Sequence, residues 1–253
     1  MSRPARIIWT RIALIASAVG LLEFLCQRRI ISPLTLIAPS EMAAKLGELL
    51  WTGQITEDIV QTFSTVALAF ALAVVAGCAA GAALHAWPRA RRAVDPLLAS
   101  YYSIPFFVFY PLLIALFGLN SIPLVAIGFV FASASMVIAT LNGLDRVPRV
   151  LTKTARMYRL NRLQTVTRIT LPAAAPHLFT GVKLALAYAF IGVIAGEFIL
   201  SGAGLGFSIA YAYNNFDSPT MYALMLFVIV VATMINGALH MWEQRLMKRR
   251  ARS

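Results

Sequence analysis

Six stretches of this chain stay apolar for about 20 residues each, the length that carries a helix across the hydrocarbon core of a bilayer. They run Ile7 to Cys26, Thr62 to Ala86, Leu97 to Phe117, Ile122 to Leu141, Leu178 to Leu200 and Met221 to Trp242. In lipid every backbone N–H and C=O must be bonded internally, so only helices and closed barrels can span. Runs of this length select the helix. Only 13% of the residues are charged, against about 25% in a soluble domain. The expected fold class is an all-α membrane protein with six transmembrane helices.

Orientation follows from where lysine and arginine fall. With the N-terminus cytoplasmic, the inner side holds Arg3 and Arg6, then Arg89, Arg91 and Arg92. It also holds Arg146, Arg149, Lys153, Arg156, Arg159, Arg162 and Arg168, and finally Arg245, Lys248, Arg249, Arg250 and Arg252. The outer side holds only Arg28, Arg29 and Lys45. The asymmetry predicts an N-in, C-in topology, and it accounts for the net charge of +12 without nucleic acid as a partner. A cleaved signal peptide over the first run is the alternative. It lacks a small-residue cleavage site, because Glu23 and Phe24 stand where small side chains belong.

Three segments organise the chain: 1–61, an N-terminal span with an outer segment; 62–245, the main membrane domain; and 246–253, a basic tail. The outer segment holds two prolines and then a helix start at Ser40 and Glu41, which predicts a short helix at the outer surface. In the second run, Gly77 and Gly81 in GCAAG stand four apart, a spacing that lets helices approach closely in lipid. Cys26 and Cys78 lie in apolar runs and read as small buried hydrophobes.

The longest cytoplasmic segment, about 143–177, contains TKTARMYRLNRLQTVTRITLPAAAP. Val147, Val150, Leu151, Thr154, Ala155 and Tyr158 share one helical face, while Arg146, Arg149, Lys153 and Arg156 share another. A break is expected near Arg159 and Leu160. Asn161 then caps a second helix, with Gln164 at the capping-box position, and Pro172 and Pro176 are expected to end it. Such an apolar ridge edged with cations fits either anionic lipid or a groove on a soluble partner.

The loop resembles the cytoplasmic coupling loop of binding-protein-dependent ABC importer permeases. That loop reads Glu-Ala-Ala, three residues, Gly, and later Leu-Pro; the matching positions here are Lys153, Thr154, Ala155, Arg159, and Leu171 with Pro172. Arg156, Met157, Tyr158, Leu160 and Asn161 complete the segment. SIPFFVFYPLLIALFGLNS resembles the family's third span, and HLFTGVKLALAYAFIGVIAGEFILSGAGLGFSIAYA its fifth, with the glutamate and the Gly-Leu-Gly. The likeness is closest to the nitrate/sulfonate/taurine-type subfamily and covers nearly the whole chain. It implies a type I importer permease fold in a bacterial cytoplasmic (inner) membrane. It also implies docked cytoplasmic ATPase subunits, an extracytoplasmic solute-binding protein and a second permease chain, with a homodimer expected. Two positions depart from the pattern: Lys153 replaces the acid and Arg159 the glycine that would adopt positive φ at the turn.

No phosphate-binding G-x-x-x-x-G-K-[ST] loop, H-E-x-x-H, C-x-x-C or G-x-S-x-G occurs. The expectation is a transporter subunit without catalytic residues, metal or bound cofactor, its ATP and Mg used by the partner. A stand-alone channel or a membrane-embedded enzyme is the alternative. An enzyme would need paired histidines and acids, yet Asp95, Asp145 and Asp217 read as loop residues. Glu197 in IAGEFIL is the foremost ionisable residue within a span; it either lines or gates an aqueous path, or packs against helix termini as an acceptor. Candidate path or gate residues are Glu197, Ser103, Pro105, Phe106, Gly204, Leu205 and Gly206. The solute expected from the resemblance is a small organic anion, sulfonate, nitrate or taurine-like, or a vitamin-precursor-like molecule.

Overall fold

The computed structural model describes the backbone of residues 3–32 and 35–250, and side chains in that range except 3–8, 11–12, 200 and 245–250. The arginines and lysines of the two termini therefore lie outside the described side chains. The described chain is helical: α1 Arg3–Gln27, α2 Pro39–Trp51, α3 Thr56–Ala86, α4 Pro88–Ser100, α5 Tyr110–Phe117, α6 Ser121–Asp145, α7 Arg149–Met157, α8 Arg162–Thr165, α9 Leu171–Leu200, α10 Leu205–Asn214 and α11 Ser218–Arg250.

Four helical stretches are long and apolar enough to cross a membrane: Thr56–Ala86, Ser121–Asp145, Arg162–Ile199 and Ser218–Gln244. A fifth crossing is available if α4 and α5, bent by 88°, act as one broken span. The third span, expected as one crossing from Leu97 to Phe117, is thus broken into two helices. Two 3₁₀ turns, Tyr101–Ser103 and Phe106–Phe109, interrupt it around Ile104 and Pro105. The cause is local, since Pro105 supplies no N–H and pushes Ile104 into the extended region, φ −83°, ψ 120°. Tyr101 compensates on the neighbouring element, its hydroxyl donating to the Val130 carbonyl of α6.

Helix α6 is the centre of the bundle, with 67% of its apolar window buried against 11% for α11. It packs against α3 on one side and α9 on the other, and small residues make this possible. A Cβ on Gly77 would lie 2.7 Å from Met136 Cβ, and one on Gly81 2.6 Å from Thr140 Cβ. The GCAAG pair is therefore the α3–α6 crossing. On the other side, a Cβ on Gly192 would lie 3.0 Å from Gly128 Cα, and one on Gly181 would overlap Ala139 Cβ. Ala69, Ala73, Ala132, Ala185, Ala189 and Val193 fill the space between the three helices. Dispersion at close approach, rather than water exclusion, holds such a seam together in lipid.

The outer elements close over this core. Helix α2 is the short outer helix expected from the sequence, starting at Pro39 rather than Ser40. Its first turn is tied to α1 by Glu23, which accepts from the Ser40 N–H at 3.0 Å and the Ser40 hydroxyl at 2.5 Å. Helix α10 is an element the sequence reading did not contain. Lys183 of α9 and Glu243 of α11 pair at 2.8 Å.

Candidate functional site

The cytoplasmic loop forms two helices with a sharp turn between them. Helix α7 ends in a Schellman motif: the Leu160 N–H donates to Ala155 O and the Arg159 N–H to Arg156 O, both at 3.0 Å. Arg159 occupies the left-handed position, with φ 51°. A side chain there costs about 1 kcal/mol relative to glycine. Replacing Arg159 with glycine should therefore stabilise the turn by about that amount, read as slower proteolysis at the loop with the rest of the chain unchanged. Immediately after, Asn161 closes a full capping box: its side chain accepts from the Gln164 N–H at 2.7 Å, and Gln164 Oε1 accepts from the Asn161 N–H at 3.0 Å.

The prolines do not end the second helix. It runs from Arg162 into the fifth span without interruption, through a π-helical turn over Val166–Thr170. Leu171 N–H donates five residues back to Val166 O. Opening the turn by one residue makes room for the ring of Pro172, which would otherwise strike the carbonyl four residues earlier. The consequence is mechanical: α8 is a rigid extension of α9, so force on the loop reaches the span without a hinge at the prolines.

Most of the predicted coupling residues are presented to solvent. Lys153, Arg156, Met157, Tyr158, Arg159, Asn161, Leu171 and Pro172 are exposed, Thr154 and Leu160 half-buried, and Ala155 is buried. Met157 is 82% exposed and Tyr158 76%, with Leu163 at 72% and Val150 at 70%. This ridge is far more apolar than a solvated loop needs to be. Its base is clamped: Asp145, at the end of α6, receives both terminal nitrogens of Arg91 at 2.8 and 2.6 Å and lies 3.1 Å from His85 Nδ1. Asp145 and Asp95 are thus helical residues rather than loop residues. Arg91 of α4, ion-paired to Asp145, and His85 of α3, in contact with it, together tie α3 and α4 to the end of α6.

The candidate path residues fall into two packing groups. Ser103 and Pro105 are exposed in the broken span. Phe106 packs beside them, its ring 4.7 Å from Tyr101 and 5.8 Å from Phe131. Glu197, Gly204, Leu205 and Gly206 are buried together. The Thr62 hydroxyl donates to the Glu197 carboxylate, with Oγ1 2.9 and 2.8 Å from its two oxygens, and Gly206 N–H donates to Glu197 Oε2 at 3.0 Å. Leu205 N–H donates to Thr62 Oγ1 at 2.8 Å. Asp58 accepts from the Gly204 N–H at 3.0 Å and from the Ser208 hydroxyl. Two carboxylates thus take up the free N–H groups that begin α10, where the helix dipole favours negative charge. Gly204 sits at φ 103° and a Cβ there would overlap the Glu197 carboxyl. Asp58, Thr62 and Ser208 were missed in the sequence. The available signal was the i, i+4 spacing of Asp58 and Thr62, which places them on one face of α3.

The profile of the family described as binding-protein-dependent transport system inner membrane component matches residues 73–253. The chain belongs to this family. It is an ABC transporter permease component and not an enzyme, ATP hydrolysis lying in separate subunits. The permease is 27% identical over 180 residues to the nitrate import permease protein NrtB of Leptolyngbya laminosa, covering 71% of this chain and 64% of that one. It is 24% identical over 223 residues to the taurine transport system permease protein TauC of Escherichia coli, 86% and 81% covered. It is 26% identical over 222 residues to the putative aliphatic sulfonates transport permease protein SsuC of Bacillus subtilis, 87% and 79% covered. In fold it is similar to a chain of the inward-facing MetNI methionine ABC transporter, with a TM-score of 0.64 at 20% identity over 78% of this chain and 97% of that one.

Proposed function

We propose that two copies of this permease form the solute pathway of an ATP-driven importer in a bacterial cytoplasmic membrane. Each chain crosses six times, with both termini cytoplasmic. Segment 1–61 supplies the first span and outer helix, 62–245 the transport domain, and 246–253 a basic tail. The charge asymmetry between the two faces supports this topology. The exposed apolar faces of α1, α3 and α11, among them Leu14, Ile15, Leu72, Val75, Ile229 and Met234, are surfaces for lipid.

The observation that carries the reading is the ridge of Val150, Met157, Tyr158 and Leu163 on two helices fixed by a Schellman turn and a capping box. It is proposed to enter a groove on a cytoplasmic ATPase subunit, which binds ATP and Mg. The rigid passage from α8 into α9 then transmits closure of the ATPases to the pathway. An extracytoplasmic binding protein delivers the solute. Relatives named for nitrate, taurine, aliphatic sulfonates and bicarbonate support a small oxyanion or sulfonate as the cargo.

The test is co-purification with a cytoplasmic ATPase subunit co-expressed with this chain. Exposed aromatic and arginine anchors carry binding energies of about 2 kcal/mol or more each. The double substitution Arg156→Glu, Tyr158→Ala should therefore weaken docking by about 30-fold for one anchor and up to about 1,000-fold for both, while the permease still accumulates in the membrane. Docking that survives replacement of the whole segment 153–161 by a glycine-serine linker overturns the coupling assignment.

A further inference from the structure

A cleft of about 220 Å³ opens between the inner halves of α6 and α9, and the broken span closes one side. Its polar lining is Tyr102, Ser135, Asn142, His177, Thr180 and Tyr188; Ile138, Ala139 and Leu184 complete it. The residues fall on single helical faces: Ser135, Ile138, Ala139 and Asn142 on α6, and His177, Thr180, Leu184 and Tyr188 on α9. Tyr102 stacks on Tyr188, ring centroids 5.0 Å apart.

Three facts constrain what fills this cleft. First, the Ser135 and Thr180 hydroxyls donate to carbonyls of their own helices, at 2.7 and 3.1 Å. Second, the Asn142 carboxamide and the His177 imidazole, at the cytoplasmic ends of the fourth and fifth spans, have no partner among the described residues. Ser135, Thr180 and Tyr188 carry the polar stripe from there into the spans, where such groups are costly in lipid, so the stripe faces water or protein. Third, no lining residue is acidic. Each free group offers a neutral N–H or O–H donor, namely Asn142 Nδ2, an imidazole N–H and the Tyr188 hydroxyl, beside an acceptor on the same side chain. They span 11 residues of α9, about 16 Å of rise, a ladder rather than a single site.

We infer that this cleft is the inner-half station of the solute path, and that it selects an oxyanion or sulfonate head group by neutral hydrogen-bond donors. Asn142 and His177 hold the head group near the cytoplasmic exit, and the Tyr102–Tyr188 stack forms the upper wall. Neutral donors suit a transit site, because a lysine or arginine there would retain the anion. The inference rests on the importer reading and adds to it the place and chemistry of solute contact.

The experiment uses the complete transporter in inside-out vesicles, with Cys26 and Cys78 replaced by alanine. Thr180→Cys places a thiol in the cleft, and Ala93→Cys, exposed on α4, serves as a control in the same basic cytoplasmic field. Each is reacted with a methanethiosulfonate carrying a sulfonate and with one carrying a quaternary ammonium. The ratio of anionic to cationic rates at Thr180→Cys should exceed that at Ala93→Cys by about tenfold. Adding Asn142→Ala and His177→Ala should return it to the control value, and millimolar taurine or nitrate should slow the anionic reaction in the parent. A ratio equal to the control, or no reaction at Thr180→Cys with and without ATP, overturns the inference. Transport and ATPase co-purification are measured on the same vesicles, so failure of the cleft leaves the importer reading standing, whereas loss of docking alone tests the latter.

Discussion

Glu197→Ala will leave a permease that inserts but unfolds far more readily. The carboxylate accepts from Thr62 and from the Gly206 N–H and is fully buried. Each buried hydrogen bond contributes about 1 kcal/mol, and removing the acceptor strands its donors at a further cost of about 1–3 kcal/mol each. The expected loss is therefore about 3 kcal/mol or more, read as a fall in Tm of roughly 10 °C for the detergent-solubilised protein. Glu197→Gln keeps a carbonyl for Gly206 and should lose about half as much. Thr62→Val should resemble Glu197→Ala, because it removes the donor to Glu197 and the acceptor for Leu205 together. Should Glu197→Ala unfold at the parent temperature, the start of α10 is held by Asp58 and Thr62 without the glutamate. Transport assayed on Glu197→Gln, whose fold is largely kept, separates a role in the path from a role in packing.

Gly181→Val will split the central helix pair. A Cβ at this position would overlap Ala139 Cβ and lie 3.2 Å from Met136 Sδ. Overpacking usually costs about 1–3 kcal/mol. Here the obstacle is an alanine on the facing helix, which has no rotamer to move into. The crossing must widen along its length, so the cost lies at or above the upper end of that range, and the variant should be recovered at low yield. Gly237→Ala on α11 is the matched control, since nothing lies within 4 Å of the added Cβ. It should behave as the parent does in yield and Tm. Equal behaviour of the two variants would mean that α6 and α9 are not in tight contact in the membrane.

The two halves of the coupling loop were legible to different degrees. The break near Arg159, the Asn161–Gln164 capping box and the apolar ridge follow from residue type at fixed local spacing, so they appear in the sequence and again in the structure. The prolines misled, because Pro172 and Pro176 are ordinarily stop signals. A π turn absorbed the ring of Pro172 and kept α8 and α9 in one rod. Nothing in local propensity announces that turn; it is what allows a loop helix and a spanning helix to share an axis. The third span failed in the opposite direction: Leu97 to Phe117 is one apolar run in the sequence, and the chain instead turns by 88° within it.

Glu197 shows the same division. Its apolar setting marked it as significant, but its partner Thr62 stands 135 positions away, and Asp58 stands 146 and 150 positions from the Gly204 and Ser208 groups it holds. Hydropathy, helix caps and the glycine pairs act over a few residues, and these local rules determined the helical class, four of the long apolar helices and the exposed apolar ridge of the loop. Which glycines meet, how two carboxylates tie down α10, how Arg91 and His85 clamp Asp145, and where α6 and α9 leave a cleft were decided only by packing. Each depends on the rotation of one helix against another, and that rotation minimises overlap over the whole bundle rather than within any one segment.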